Sequence, residues 1–142
     1  MPSFGKKSLV QFNTLHPNLK LWLNVCIQVV DFSIIEGLRD RETQDLYFQL
    51  ETSHLKYPES RHNRTKDPAL QEMSSSFSDA VDVIPYPSGY TNPELQIYQA
   101  GIMLGIAILM GLNIRWGGMW DGKRINNQEG NFWDPWHFEI IH

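Results

Sequence analysis

Apolar residues recur along the chain at helical spacing in some stretches and at strand spacing in others, with polar gaps between them. Leu15-His16-Pro17-Asn18 has the form of a helix start, and Leu19, Leu23, Cys26 and Val30 then fall on one helical face. Phe32-Ser33-Ile34-Ile35 is a short β-prone run that Gly37 ends. A second helix is predicted over 41–50, with Asp40 as its cap. From Glu51 to Ser76 the periodicity disappears, and Pro58, Pro68, Arg61, Arg64 and Lys66 mark a long loop. Ala80-Val81-Asp82-Val83-Ile84 reads as a buried strand stopped by Pro85 and Pro87. Asn92-Pro93-Glu94 opens a long apolar helix that runs to about Leu112. Ile114-Arg115-Trp116 is a short strand leading into Gly117-Gly118, residues 119–131 form a polar loop, and Phe138-Glu139-Ile140-Ile141 is a last strand. This order predicts an α+β fold, with helices packed on a small, mostly antiparallel sheet.

Composition narrows the function classes more than the fold. A chain of 142 residues fits one domain, 1–142, and is long enough to remove roughly 70% of its unfolded surface from water. Twelve basic residues against sixteen acidic ones leave a net charge of -4, which lacks the basic excess of a nucleic-acid binder. The single cysteine, Cys26, excludes an internal disulfide, and its apolar helical setting reads as a buried core thiol. The opening MPSFGKKSLVQF contains neither an apolar core region nor a small-residue cleavage site, so no signal peptide is expected. Leu95 to Ile114 is uncharged over twenty residues, the length of a bilayer span, and contains Gly101-x-x-x-Gly105. Gln96, Gln99, Asn113 and the helix-start signal favour instead a fully buried central helix and no membrane span.

Three places carry candidate chemistry. Asp134-Pro135-Trp136-His137 sets a carboxylate and an imidazole three residues apart at the mouth of the last strand. That pairing suits a zinc ligand beside a proton acceptor, or equally a surface Asp next to a packed His. Asp82 lies inside an apolar strand, where it is either paired or metal-bound, or simply points outward. Arg39, with Gln44 five residues on, sits where a guanidinium could grip a substrate carboxylate, or be solvated within Arg39-Asp40-Arg41-Glu42.

Taken together these pieces resemble the zinc peptidoglycan peptidases, the family of D-alanyl-D-alanine carboxypeptidases and phage L-alanyl-D-glutamate endolysins. The resemblance rests on Gly37-Leu38-Arg39 with Gln44, on Ala80-Val81-Asp82 followed by Pro85-Tyr86, on Arg115-Trp116-Gly117-Gly118-Met119-Trp120, and on Asp134-Pro135-Trp136-His137-Phe138-Glu139. It implies that Asp82 and His137 hold zinc and that Asp134 activates water. It also implies that Arg39, with Gln44 and Trp136, contacts a peptidoglycan peptide.

The family's third ligand is a His seven residues before Asp82, and here that position is Ser75, flanked by Met73 and Ser78 where the family has Ser and Gly. Met119 likewise replaces an Asp. A neutral hydroxyl is a poor donor to zinc, and catalytic zinc takes three protein ligands plus an open position. The expectation is therefore a degenerate zinc site, or none, in a protein with a structural or binding role and phage structural proteins as partners. Its place would be the virion or tail, or the host cytoplasm before lysis. In that reading Trp116, Trp120, Trp133 and Trp136 line a groove or pack the core. The alternative is an active zinc endopeptidase or carboxypeptidase in which another histidine of His16, His54, His62 and His142 supplies the missing ligand. His62, in Ser60-Arg61-His62, copies the family's local pattern but stands twenty residues from Asp82. A membrane-associated lysis factor built on the long apolar helix is a third, weaker reading.

Overall fold

Four strands, β1 (Phe32–Glu36), β2 (Ala80–Pro85), β3 (Ile114–Trp116) and β4 (His137–Ile140), form one antiparallel sheet in the order β1-β2-β4-β3. The computed structural model describes residues 2–120, 125 and 133–142. The elements run α1 (Lys6–Phe12), α2 (Pro17–Cys26), β1 (Phe32–Glu36), α3 (Arg41–Gln49), β2 (Ala80–Pro85), α4 (Pro93–Leu109), β3 (Ile114–Trp116) and β4 (His137–Ile140). Two 3-10 segments, Pro68–Ser76 and Gly89–Thr91, lie in the loops. The α+β class, the antiparallel sheet and all four strands match the sequence expectation. Most of the polar loop expected over 119–131 lies outside the described residues.

The helix starts form for the anticipated reasons. Asp40 accepts a hydrogen bond from Thr43 N at 2.8 Å, Asn92 accepts one from Leu95 N at 3.1 Å, and prolines occupy the first helical positions after His16 and Asn92. Helix α1 was not anticipated, because its seven residues carry no clear apolar period. Its role is at the sheet edge. Ser8 Oγ accepts from Ile34 N at 3.0 Å and Gln11 Oε1 from Gly37 N at 3.0 Å, while Thr14 Oγ1, just past the helix, accepts from Leu38 N at 2.9 Å. These side chains stand in for a neighbouring strand and cap an edge that would otherwise expose unpaired amides.

One face of the sheet packs on α2 and α4. Trp22, Leu23, Val81, Met103 and Phe138 are buried there, with the Trp22 and Phe138 rings edge to face at 5.4 Å. Cys26 is fully buried among them, and burial pushes its thiol up to about 12, so it behaves as an inert core group. Helix α4 corrects the expectation of a helix buried all round. Gln96, Ala100, Met103 and Ala107 face the core, but Tyr98, Ile108 and Leu109 are exposed on the opposite side. Its two glutamines donate to backbone carbonyls, Gln96 to Pro135 O at 2.7 Å and Gln99 to Asp31 O at 3.2 Å. Among the described residues, no helix is long and apolar enough to cross a membrane.

The other face of the sheet carries polar side chains in register. Asp82 pairs with His137 and Glu139 with Arg115, so each pair shares a face. A bulge between Ile34 and Glu36 sets Glu36 opposite Asp82 while Ile34 stays opposite Val83 in the core. That one-residue irregularity adds a third carboxylate to the polar face.

Candidate metal centre

Three side chains converge at the middle of this face. His62 Nε2 and His137 Nδ1 are 3.2 Å apart, and each lies 3.3 Å from Asp82 Oδ1. The triangle is nearly equilateral. It matches the edge of a tetrahedron, about 3.3–3.4 Å, built on a centre ~2.0–2.1 Å from each donor.

Hydrogen-bond accounting gives the triangle its chemistry. His62 Nδ1 is 2.8 Å from Gly37 O, which only accepts, so Nδ1 carries the hydrogen and Nε2 turns a lone pair inward. His137 Nε2 is 2.9 Å from Glu139 Oε1, which leaves Nδ1 as the inward lone pair. Asp82 Oδ1 is buried without a hydrogen-bond partner. Two imidazole lone pairs and a carboxylate oxygen aimed at one point repel one another unless a cation or a proton lies between them. Burial works against charge on Asp82, yet the adjacent histidines hold its carboxyl well below the usual range. Burial also works against charge on His137, but the adjacent carboxylates of Asp82 and Glu139 outweigh it and raise the ring to about 9.

At the first ligand position, Ser75 and His62 fall in different settings. Ser75 is exposed within the 3-10 segment Pro68–Ser76, while His62 is buried against Asp82 and His137. The residues between His62 and Asp82 leave the site and return to it. Asp79 N donates to Arg61 O at 3.0 Å and Thr65 N to Ser74 O at 2.9 Å, closing the stem of the loop beside the position of His62. A longer loop adds little closure entropy, so a side chain twenty residues before Asp82 can reach the position of one seven residues before it.

A second group, His16, Asp79 and His142, also has metal-ligand residue types. Its bonding differs. His16 Nδ1 accepts from Asn18 N at 3.0 Å, which puts the hydrogen on Nε2, and Nε2 donates to Asp67 at 2.7 Å. His142 Nε2 meets Asp79 Oδ1 at 3.0 Å, and Asp79 Oδ2 accepts from Lys66 N at 2.6 Å. Protons already satisfy these contacts, and together they tie the loop after His62 to the start of α2.

Around the triangle lies a cleft of about 530 Å³, lined among others by Arg39, Tyr47, Arg115, Trp120 and Asp134. A comparable cleft of about 590 Å³ beside α1 and β1 contains no such convergence of donors. Burial pushes the Asp134 carboxyl above its ordinary range and the charge of Asp82 adds to this, while His137 and His62 partly offset it.

The model of the phage L-alanyl-D-glutamate peptidase family matches residues 2–141. The chain belongs to that family. Among solved structures, the L-Ala D-Glu endopeptidase ChiX of Serratia marcescens superimposes with a TM-score of 0.71 at 22% identity, over 98% of this chain and 90% of that one, which establishes a shared fold. Among curated proteins, none matches.

The remaining expected residues of this peptidase-family chain fall in three settings. Arg39 lines the cleft, ion-paired with Glu36, donating to Gln44 Oε1 at 2.9 Å and lying over the Tyr47 ring at 4.7 Å. Gln44 is fully buried with both ends of its amide engaged. Oε1 accepts from Arg39 and Asn63, and Nε2 donates to Ser53 Oγ and Leu55 O. It therefore positions Arg39 and the loop leading to His62, and no polar atom of its side chain is left over for substrate. Trp136 packs edge to face with Tyr90 at 5.0 Å and does not line the cleft. Of the other tryptophans, Trp116 is buried in the core, its Nε1 donating to Pro135 O at 2.7 Å, while Trp120 lies 5.4 Å from the His137 ring.

The glycines of Trp116-Gly117-Gly118 allow the chain near Asp134 to dock. Gly117 N donates to His137 O at 2.8 Å and Asp134 N to Gly117 O at 3.0 Å, and a Cβ on Gly117 would overlap the Asp134 carbonyl oxygen. Gly117→Ala is therefore expected to cost about 1–3 kcal/mol by overpacking. It should also displace Asp134 and His137, lowering metal affinity together with the melting temperature in a thermal scan.

Proposed function

We propose that this chain is a working zinc-dependent peptidoglycan peptidase that hydrolyses the L-alanyl-D-glutamyl bond of cell-wall stem peptides. The observation that carries the reading is the triangle of inward-facing donors on His62, Asp82 and His137, with the orphaned Asp82 oxygen at one corner. Two imidazoles and one carboxylate, with the fourth side open to a cleft, are the donor set of catalytic zinc; structural zinc is closed by four ligands. Membership in a family named for this bond supports the substrate.

When bound, zinc would supply Lewis acidity to the scissile carbonyl and acidify water in the cleft. The chain's own residues do the rest. Asp134, with its raised affinity for a proton, takes one from the attacking water and passes it to the amide nitrogen as the C–N bond breaks. Arg39, held by Glu36 and Gln44, offers its remaining donors to a substrate carboxylate or carbonyl.

The test is digestion of purified peptidoglycan followed by mass spectrometry. The proposal expects peptides beginning with a free D-glutamate amine and glycan-linked remnants ending in L-alanine. Intact stem peptides after prolonged incubation of zinc-loaded protein would contradict it.

A further inference from the structure

Glu139 is buried between His137 and two guanidinium groups. Its Oε1 meets His137 Nε2 at 2.9 Å, while its Oε2 accepts from Arg115 Nη2 at 2.9 Å and lies 3.4 Å from Arg61 Nε. Arg61 directly precedes His62, and its Nη1 also lies 4.0 Å from buried Asp79. Arg115 reaches His137 by a second route, its guanidinium lying 5.1 Å over the Trp120 ring, which in turn leans on the imidazole at 5.4 Å. We propose that Arg61 and Arg115 are positioning residues that clamp Glu139 and through it fix the ring orientation and tautomer of His137 for metal binding. The inference rests on the zinc reading above.

The physical reason is that a carboxylate with one oxygen on an imidazole can swing unless its other oxygen is also held. Cations on that second oxygen fix the plane of the carboxylate and keep it an acceptor for Nε2–H. They also offset the cost of burying its charge. Arg61 lies beside one histidine ligand and reaches the carboxylate that holds the other, so it joins both ligands to one support. Arg115 is about half exposed at the cleft wall, so its loss should leave the core undisturbed.

The experiment measures zinc affinity by competition with a chromophoric chelator for wild type, Arg115→Met, Arg115→Lys and Arg61→Met, alongside melts of the metal-free proteins and kcat and KM on a stem peptide. Loss of an outer-shell partner typically costs ~10–100-fold in metal affinity. Each Met variant is expected to bind zinc about 10-fold more weakly. Arg115→Lys should recover part of that loss, and the metal-free melt of Arg115→Met should match wild type. Three results would overturn the inference: unchanged zinc affinity in both Met variants, a raised KM with normal zinc affinity, or an affinity loss that tracks a lower metal-free melt. Wild type that binds zinc alongside unaffected variants defeats this inference alone, whereas wild type that binds none defeats the function proposal as well.

Discussion

His62→Ala should abolish zinc retention and peptide hydrolysis together, while Ser75→Ala leaves both unchanged. His62 contributes one of three donors at 3.2–3.3 Å spacing, and Gly37 O orients its ring so that Nε2 faces the other two. Removing it leaves Asp82 and His137 facing each other with a single histidine, a pair that a proton satisfies better than a metal. The loss of affinity should exceed the ~10–100-fold typical of an outer-shell partner. Ser75 is exposed on the loop, so its substitution should fall within about 0.5 kcal/mol in stability. Chelator competition and a hydrolysis assay on the two variants check the contrast, and zinc retention that survives His62→Ala, or falls as far in Ser75→Ala, would contradict it.

Asp134→Asn should retain zinc and lose ~100- to 10,000-fold in kcat, the range of a general base. The raised carboxyl also fixes the sign of a stability effect. A carboxyl whose folded affinity for protons exceeds its unfolded one stabilises the fold at acid pH, and that stabilisation is lost as pH rises through the folded value. At neutral pH the metal-free wild type therefore carries the cost of a buried charge that Asn lacks. Metal-free Asp134→Asn should melt at or above wild type at pH 7, and the advantage should vanish in acid. A variant that melts well below wild type at pH 7 would mean that Asp134 holds the structure together.

Much of this was legible in the sequence where the signal is local. Asp40 and Asn92 announce their helices by side-chain caps, and the β-prone runs 32–35, 80–84, 114–116 and 138–141 fall within a residue of the observed strands. Asp82 and His137 were named from their settings and from the family resemblance, and register pairs them. His62 was harder because ligand spacing is a local rule and the intervening loop is not. Its stem closes through Asp79 N to Arg61 O, a contact that no periodicity predicts. Glu139 is legible as part of the Asp134-to-Glu139 motif, and its place two residues after His137 on the same face of a strand is what sets it against the imidazole. Gln44 looks like a substrate contact from its distance to Arg39, and only its four engaged partners give it a positioning role. The outer face of α4 could not be read from composition, because a helix apolar all round looks the same whether one side or both are covered.

The most direct measurement is zinc K-edge X-ray absorption on protein purified without chelators, with elemental analysis of the same sample. The account predicts one zinc per chain, in a first shell of nitrogen and oxygen at about 2.0–2.2 Å that contains two imidazoles, with one imidazole lost in His62→Ala. A folded protein that holds no zinc, or zinc whose shell is unaltered by His62→Ala, would contradict it.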